Sequence, residues 1–204
     1  MTDHAYDVLS SETTYTGRVI SVRRDIVAMP GDTSSQRDVI VHPGAVGVLA
    51  LDAEHRVLMV RQYRHPVRAH LEELPAGLLD VAGEPAHLAA QRELAEEAGL
   101  GASTWQVLAD VWSSPGMTDE AYRIFLARDV YPVPRDIQDH EEAEMTSSWL
   151  DLDEAVRRVL SGELTNAMAC VGVLAADLAV RHGFDQLRPA DAPWPARPQA
   201  ARLI

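Results

Sequence analysis

One stretch, residues 77–100, limits what this chain can fold into more than any other. It reads GLLDVAGEPAHLAAQRELAEEAGL. A helix can start at Pro85 and stop at Gly99, because proline suits the first helical turn and glycine suits the residue after the last one. At about 100° per residue, three carboxylates then share one face of the predicted helix. We call these residues the acidic face: Glu93, Glu96 and Glu97.

The acidic face carries an electrostatic cost. At about 4 Å and an effective dielectric constant near 20, each like-charge pair costs about 4 kcal/mol. A bound cation would relieve this repulsion, and hard oxygen ligands favour magnesium or manganese over zinc. The alternative is a solvated acidic helix in which Arg92 pairs with Glu96, four residues further on. For the short pattern RELAEE alone, the solvated helix is the simpler interpretation.

The whole stretch resembles the Nudix box, written G-x5-E-x7-R-E-U-x-E-E-x-G-U, where U is an aliphatic residue. Every position from Glu84 to Leu100 matches, including the seven residues that separate Glu84 from Arg92. The loop before the helix departs from the pattern, because six residues rather than five separate Gly77 from Glu84. This departure concerns the path of the loop and not the helix.

Composition excludes several classes of partner. The net charge of −13 argues against nonspecific nucleic-acid binding, which depends on Lys and Arg, and against an anionic membrane surface. Cys170 is the only cysteine, so no intrachain disulfide exists and a reducing compartment is expected. No uninterrupted apolar run reaches 18 residues. We therefore expect a cytoplasmic protein that acts on a small molecule.

Hydrophobic patterning predicts a series of strands. They cover residues 14–29, 38–42, 45–51, 57–64, 105–112, 121–130 and 145–150. The runs at 45–51 and 57–64 are almost continuously apolar, which is typical of strands buried on both faces. Pro30, Gly31 and Asp32 predict a turn between the first two strands. Residues 1–13 are polar and are expected to be loosely ordered.

Two more helices are predicted after the strands. Asp151 and Glu154 form a capping-box pattern that opens a helix running to about residue 160. Either Thr165 or Asn166 caps the next helix, which Gly183 ends. Residues 185–204 contain several prolines and are expected to form an extended tail.

This order of elements predicts an α/β fold, and the resemblance implies its form. We expect a Nudix α/β/α sandwich with a mixed sheet, preceded by an N-terminal antiparallel β segment. The predicted regions are a β segment at 1–43, a catalytic domain at 44–184 and a Pro-rich C-terminal tail at 185–204. Dimers in which the N-terminal strands reach the partner's site are typical of the branch that this chain resembles. We therefore expect a homodimer, with Arg37 among the residues lining the partner's pocket.

The resemblance also implies roles for residues of the box. Glu93 and Glu97 would bind magnesium or manganese, with Glu96 as a third ligand. The backbone carbonyl of Ala76 would add a further oxygen. Arg92 would orient the carboxylates through charge-assisted hydrogen bonds rather than touch the substrate. Such a site suits hydrolysis of a phosphoanhydride, which needs an electrophile neutralised by metal and a water that can lose its proton.

The general base is expected outside the box. In the pyrophosphatase branch of the superfamily, which this sequence resembles, a mobile loop well downstream of the box supplies the general base. The corresponding loop here is residues 139–144. Glu142 is the first candidate, with Glu141 and Glu144 as rivals. The alternative is that this loop is merely a solvated acidic segment.

Features outside the box are similar to the ADP-ribose pyrophosphatase branch of the superfamily. Pro115 stands fifteen residues after Leu100, and VRQYRHPV and LEELPAGLLD precede or open the box. Arg64 could meet the pyrophosphate or terminal ribose. Gly116 would let the backbone approach a ribose closely. Two glutamates could accept hydrogen bonds from ribose hydroxyls or hold arginines: Glu73 and Glu120.

The sequence thus predicts a metal-dependent hydrolase that converts ADP-ribose and water to AMP and ribose 5-phosphate. Within the same fold, the alternative substrates are another nucleoside diphosphate sugar, a dinucleotide or a flavin nucleotide. Two other classes stay open: a module that binds ADP-ribose without cleaving it, and a plain acidic interaction domain. Loss of the box glutamates would mark the binding module, and all three residues of the acidic face are present.

Overall fold

The computed structural model describes residues 5–135 and 145–197. These residues cluster into two compact units. The first takes its described residues from 1–44, 112–121 and 196–204, and the second from 45–111 and 122–195. None of the described helices is long and apolar enough to cross a membrane.

Of the described elements, seven strands precede the first α-helix, three lie between the first and second α-helices, and one follows the third. The described strands are β1 Val8–Thr16, β2 Ser21–Met29, β3 Thr33–Val41, β4 Ala45–Ala50, β5 Arg56–Arg64, β6 Ala69–Glu73, β7 Ala76–Leu78, β8 Leu100–Trp112, β9 Ala121–Pro132, β10 Thr146–Asp151 and β11 Arg188–Pro189. The described helices are α1 Ala86–Ala98, α2 Leu152–Ser161 and α3 Ala167–His182.

In the first unit, β1, β2 and β3 form an antiparallel sheet in that order. The predicted turn is confirmed, because Gly31 and Asp32 have positive φ angles of 78° and 54° between β2 and β3. For residues 8–13 the expectation of loose order was wrong, since β1 begins at Val8. Every residue of β1 is exposed, so no hydrophobic pattern marked it. Pairing with β2 makes this segment a strand.

The second unit is built on a five-stranded sheet in the order β11-β8-β9-β4-β7 and a three-stranded sheet in the order β10-β5-β6. Strand β4 runs parallel to β9 and antiparallel to β7, so the larger sheet is mixed. Side chains of β4 point alternately to two cores. Leu49 packs with residues of α2 and α3, whereas Val46 and Val48 pack with residues of α1. This arrangement confirms the α/β/α sandwich.

Each helix end follows from a local signal. Gly99 ends α1 with a left-handed φ of 64°. The side chain of Asp151 accepts hydrogen bonds from the backbone N–H groups of Asp153 and Glu154, which confirms the predicted cap of α2. Asn166, rather than the neighbouring Thr165, caps α3, because its side chain accepts from Ala169 N–H at 2.9 Å.

The first part of the predicted C-terminal tail is docked rather than extended. Residues 188–189 pair with β8 as strand β11, and Trp194 packs against the core beneath α1. Arg123 is 2% exposed and donates to the carbonyls of Ala192 and Pro193. It also pairs with Asp110 at 2.7 Å. A proline-rich composition therefore did not prevent docking, because the hydrogen bonds use carbonyl groups, which proline keeps.

Pairing with two arginines also sets the ionisation state of Asp110. Burial alone would raise the pKa of Asp110, but hydrogen bonds from Arg123 and Arg188 lower it below its ordinary value. A lowered pKa means that the carboxylate stabilises the folded state above its unfolded pKa and that this contribution is lost as the pH falls through the folded pKa. The docked segment is therefore held by an ionised carboxylate at neutral pH.

The cap of α3 gives a direct test of the fold. Replacing Asn166 with alanine should lower the free energy of unfolding by about 1 kcal/mol, because the Ala169 N–H loses its acceptor. The exposed neighbour Thr165, replaced with alanine, is the matched control and should change stability by less than about 0.5 kcal/mol. Urea denaturation measures both. Equal losses in the two variants would contradict the assignment of the cap.

Candidate active site

Helix α1 is positioned by its apolar side. Ala89, Ala90 and Leu94 are fully buried in the core beneath the larger sheet. The acidic face therefore turns to a pocket of about 340 Å³ in the second unit, and all three of its carboxylates line that pocket. The structure thus brings together the carboxylates that the sequence placed on one helix face.

Glu97 is the most buried member of the acidic face. It is 7% exposed, and its Oε2 accepts a hydrogen bond from Ala76 N–H at 2.9 Å. Ala76 begins β7, so this bond ties α1 to the strand beside the pocket. The backbone amide removes the cost of burying the carboxylate oxygen that it meets.

Arg92 neutralises much of the remaining charge. Its guanidinium donates to Glu93 Oε1 at 2.7 Å and to Glu96 Oε2 at 3.0 Å. It also donates to both oxygens of Glu84, at 3.3 and 3.2 Å. The hydrogen bond to Glu84, with the negative charge of Glu93, raises the pKa of Arg92 well above its ordinary value, although burial opposes the shift. Arg92 therefore stays cationic and holds three carboxylates together.

Gly77 lets the acidic face lie close to the loop. A Cβ atom at this position would stand 2.0 Å from both Cδ and Oε1 of Glu93. A side chain at this position would require the Glu93 carboxylate to move away, so glycine lets that carboxylate lie close to the loop. Further along the loop, the exposed residues 80–83 form a turn in which Glu84 N–H donates to Val81 O at 3.2 Å.

A cationic side chain lines the same pocket. Arg64 of β5 donates to Glu73 through Nε at 3.0 and 3.1 Å and through Nη2 at 2.6 Å. Glu73 is 3% exposed and also accepts from Gln62 Nε2 at 3.2 Å. The paired carboxylate fixes the direction of the guanidinium. Sequence reasoning missed Gln62, although alternation along β5 places it on the same face as Arg64.

The other predicted site residues fall outside this pocket's lining. Gly116 and Glu120 belong to the first unit, on the loop 113–120, and Glu120 accepts a hydrogen bond from Ser113. Arg37 is an exposed residue of β3 and donates to Gln36 O at 2.9 Å. The predicted bases lie outside the described residues: Glu141, Glu142 and Glu144.

A protein-family model of the NUDIX domain matches residues 41–169. The chain belongs to the NUDIX family. The match begins at the end of β3 and includes the whole box, so the family covers the pocket, the acidic face and the loop 113–120.

Similar proteins agree with this assignment. The Nudix chain is 52% identical over 200 residues to an ADP-ribose pyrophosphatase of Mycobacterium tuberculosis, covering 98% of this chain and 96% of the relative. It is 33% identical to an ADP-ribose pyrophosphatase of Bacillus subtilis, covering 81% and 89%. A crystal structure of an ADP compounds hydrolase superposes with a TM-score of 0.79 over 90% of this chain and 98% of that one, at 19% identity. That last likeness shows the fold alone.

Nudix hydrolases generally need divalent metal ions, and the donors here fit one. The acidic face offers only hard carboxylate oxygens in a pocket lined by polar groups. Among residues 5–135 and 145–197, no three acidic, cysteine or histidine side chains already stand as a coordination shell. Arg92 occupies one oxygen of Glu93 and one of Glu96 through hydrogen bonds.

Close packing at Gly77 yields a stability test of the site. Replacing Gly77 with alanine should lower the free energy of unfolding by about 1–3 kcal/mol, because the new methyl group overlaps the Glu93 carboxylate. In a Glu93→Ala background the same substitution should cost much less, since the overlapping atoms are gone. A double-mutant cycle measured by denaturation separates the two effects. Equal costs in both backgrounds would show that Glu93 is not the obstacle.

Proposed function

We propose that this Nudix protein is a metal-dependent hydrolase of ADP-ribose that yields AMP and ribose 5-phosphate. The observation that carries the proposal is a single pocket in which the acidic face of α1 lies together with the cationic Arg64 of β5. A diphosphate needs both kinds of group, because its non-bridging oxygens bind metal and guanidinium alike. The relative from Mycobacterium tuberculosis, similar over almost the whole chain, carries the same activity in its name.

Residues of the acidic face would hold the metal, which we propose to be magnesium or manganese. Glu93, Glu96 and Glu97 would supply carboxylate oxygens, with the carbonyl of Ala76 as a further donor. A divalent cation bound there would polarise the phosphoryl group and lower the pKa of a nearby water. Arg92 would keep its hold on Glu84 while releasing oxygens of the acidic face, so that the carboxylates stay oriented.

The pocket also provides a cationic group, the guanidinium of Arg64, that can contact an anion. Glu73 and Gln62 hold the Arg64 side chain, so its guanidinium needs little reorganisation to meet the pyrophosphate or the terminal ribose. The side chain of Arg64 is 44% exposed and that of Glu73 is 3% exposed, so Arg64 is the member of the pair that a ligand could reach.

Substrate choice would depend on residues beyond the box. Gly116 and Glu120 would contact the ribose portions, as the likeness of the 113–120 segment to the ADP-ribose branch implies. We propose a homodimer in which Arg37, on the N-terminal sheet, reaches the substrate of the partner subunit. Strand β1 is exposed along its length, which supports pairing with a second copy. We place the enzyme in the cytoplasm.

A glutamate would accept the proton of the attacking water. Glu142 is the first candidate, with Glu141 and Glu144 as rivals, on the acidic loop after β9. A carboxylate suits the task because the metal already lowers the pKa of that water, so a weak base is sufficient.

The activity itself is tested with a substrate panel. Purified protein should release AMP from ADP-ribose when magnesium or manganese is present, and chelation should abolish the reaction. Glu97→Gln should lose about 10²-fold or more in turnover, because the amide keeps the Ala76 hydrogen bond but is a poor metal ligand. Glu54→Gln, on an exposed turn, is the matched control. Chromatography of the products reads the result, and absence of AMP from ADP-ribose would end the proposal.

The assignment of the base is tested by three substitutions. Glu142→Gln should lower turnover by about 10²- to 10⁴-fold with metal affinity unchanged, because only proton transfer is lost. Glu141→Gln and Glu144→Gln should stay within a few-fold of wild type. Calorimetric titration with manganese measures the affinity independently of turnover. Three variants with wild-type turnover would rule out this loop as the source of the base.

A further inference from the structure

Helix α1 carries negative charge at its negative end. Glu96 and Glu97 lie in its last turn, where the backbone carbonyls of a helix already bear partial negative charge. Helices α2 and α3 each place an arginine in the last turn, at Arg158 and Arg181. The last turn of α1, which the structure describes in full, contains no basic residue. A cation from another part of the chain would therefore stabilise this end of α1.

Arg135 supplies such a cation from the chain after β9. Its Nε donates a hydrogen bond to the backbone carbonyl of Glu96 at 2.9 Å. The last carbonyls of a helix have no partner within the helix, so this bond satisfies a group that α1 itself leaves open. The donor is charged, and such hydrogen bonds are stronger than those between neutral groups.

Backbone contacts bring Arg135 to the end of α1. Val133 N–H donates to the carbonyl of Gly99, the residue that follows the helix, at 2.8 Å. A Cβ atom at Gly99 would lie 3.4 Å from both Arg135 Cβ and Val133 O, so no gap separates the two segments. The place of Arg135 beside the last turn is thus set by the main chain as well as by its own side chain.

The turn that Arg135 holds carries two carboxylates of the acidic face. Glu97 is fixed from the pocket side, because its Oε2 accepts from Ala76 N–H at 2.9 Å. The side chain of Glu96 is held by Arg92, which donates to Oε2 at 3.0 Å. Binding of a metal at this oxygen would take it from Arg92, whereas the bond from Arg135 uses the main-chain carbonyl and would remain.

We propose that Arg135 is a positioning residue for the metal-binding turn of α1. By holding the main chain at Glu96, it keeps the carboxylates of Glu96 and Glu97 in place before a divalent cation binds. A site that is ordered in advance binds more tightly, because less order has to be gained on binding. The proposal rests on the proposed function and adds to it a residue outside the box.

A general stabilising role is the alternative, in which Arg135 only caps a helix end. Two substitutions of matched length separate the roles. Glutamine places its Nε2 where arginine has Nε, so it keeps the donor to Glu96 O and removes the charge. Methionine has the same length and no donor. Comparison of these two neutral variants isolates the hydrogen bond, because both lack the charge of the guanidinium.

The test is calorimetric titration with manganese, in which only the binding that Glu97→Gln removes is counted. Arg135→Met should have a dissociation constant about fivefold higher than that of Arg135→Gln, since a hydrogen bond that orders the site is lost. At saturating manganese, the turnover of ADP-ribose by Arg135→Met should return to within about twofold of that by Arg135→Gln, because the metal then orders the turn.

Arg181→Met is the matched control, because it removes the exposed arginine at the end of α3. It should leave the dissociation constant for manganese within about twofold of wild type. Equal dissociation constants in Arg135→Met and Arg135→Gln would overturn the proposal. Turnover that saturating manganese does not restore would also overturn it, because a general loss of folded structure would then explain the defect.

Hydrogen exchange in the metal-free protein is a second measurement. The N–H of Gly99, which donates to Ala95 O at 2.9 Å, should exchange about fivefold faster in Arg135→Met than in Arg135→Gln, because the last turn opens more often. Equal exchange rates would overturn the proposal. Wild-type protein that releases no AMP from ADP-ribose would end the proposed function, and the manganese titration would still decide the role of Arg135. An acidic face that binds no manganese would overturn both.

Discussion

The structure of the site depends on one cation surrounded by carboxylates. Arg92 contacts Glu84, Glu93 and Glu96, and its hydrogen bonds offset a repulsion of about 4 kcal/mol for each like-charge pair at close range. The opposite side of α1 is fixed in the core by the buried Ala89, Ala90 and Leu94. Pairing with Arg92 therefore keeps the carboxylates of the acidic face together. Gly77 completes the arrangement, since a Cβ atom there would displace the Glu93 carboxylate from its position.

Two buried carboxylates then orient what surrounds this centre. Glu97 receives a backbone N–H from the start of β7, and Glu73 receives Arg64 and Gln62 from β5. Glu73 is 3% exposed, so its role is to fix Arg64 rather than to meet a ligand itself. The pattern recurs in the first unit, where the hydroxyl of Ser113 donates a hydrogen bond to Glu120. In all three places, a paired carboxylate sets the direction of a polar group.

The errors of sequence reasoning have a common cause. Strand β1 was missed because it has no buried side, so its formation depends on β2 rather than on its own residues. The segment after Phe184 was expected to be extended, yet Arg123 binds its carbonyl groups and Trp194 packs on the core. Both segments are organised by partners distant in sequence, and a local pattern carries no record of such partners.

The sequence by itself determined the helix of the box, the register that puts three carboxylates on one side, the Asp151 cap of α2, the end of α3 at Gly183 and the central strand β4. These follow from the fixed periods of helix and strand, from the hydrogen bonding of a capping aspartate and from the backbone preferences of proline and glycine. The tertiary structure alone decided that Glu73 holds Arg64, that Gln62 joins them and that Ser113 donates to Glu120. Such contacts arise when packing brings distant strands and loops together, and side-chain direction at those meetings depends on the whole fold.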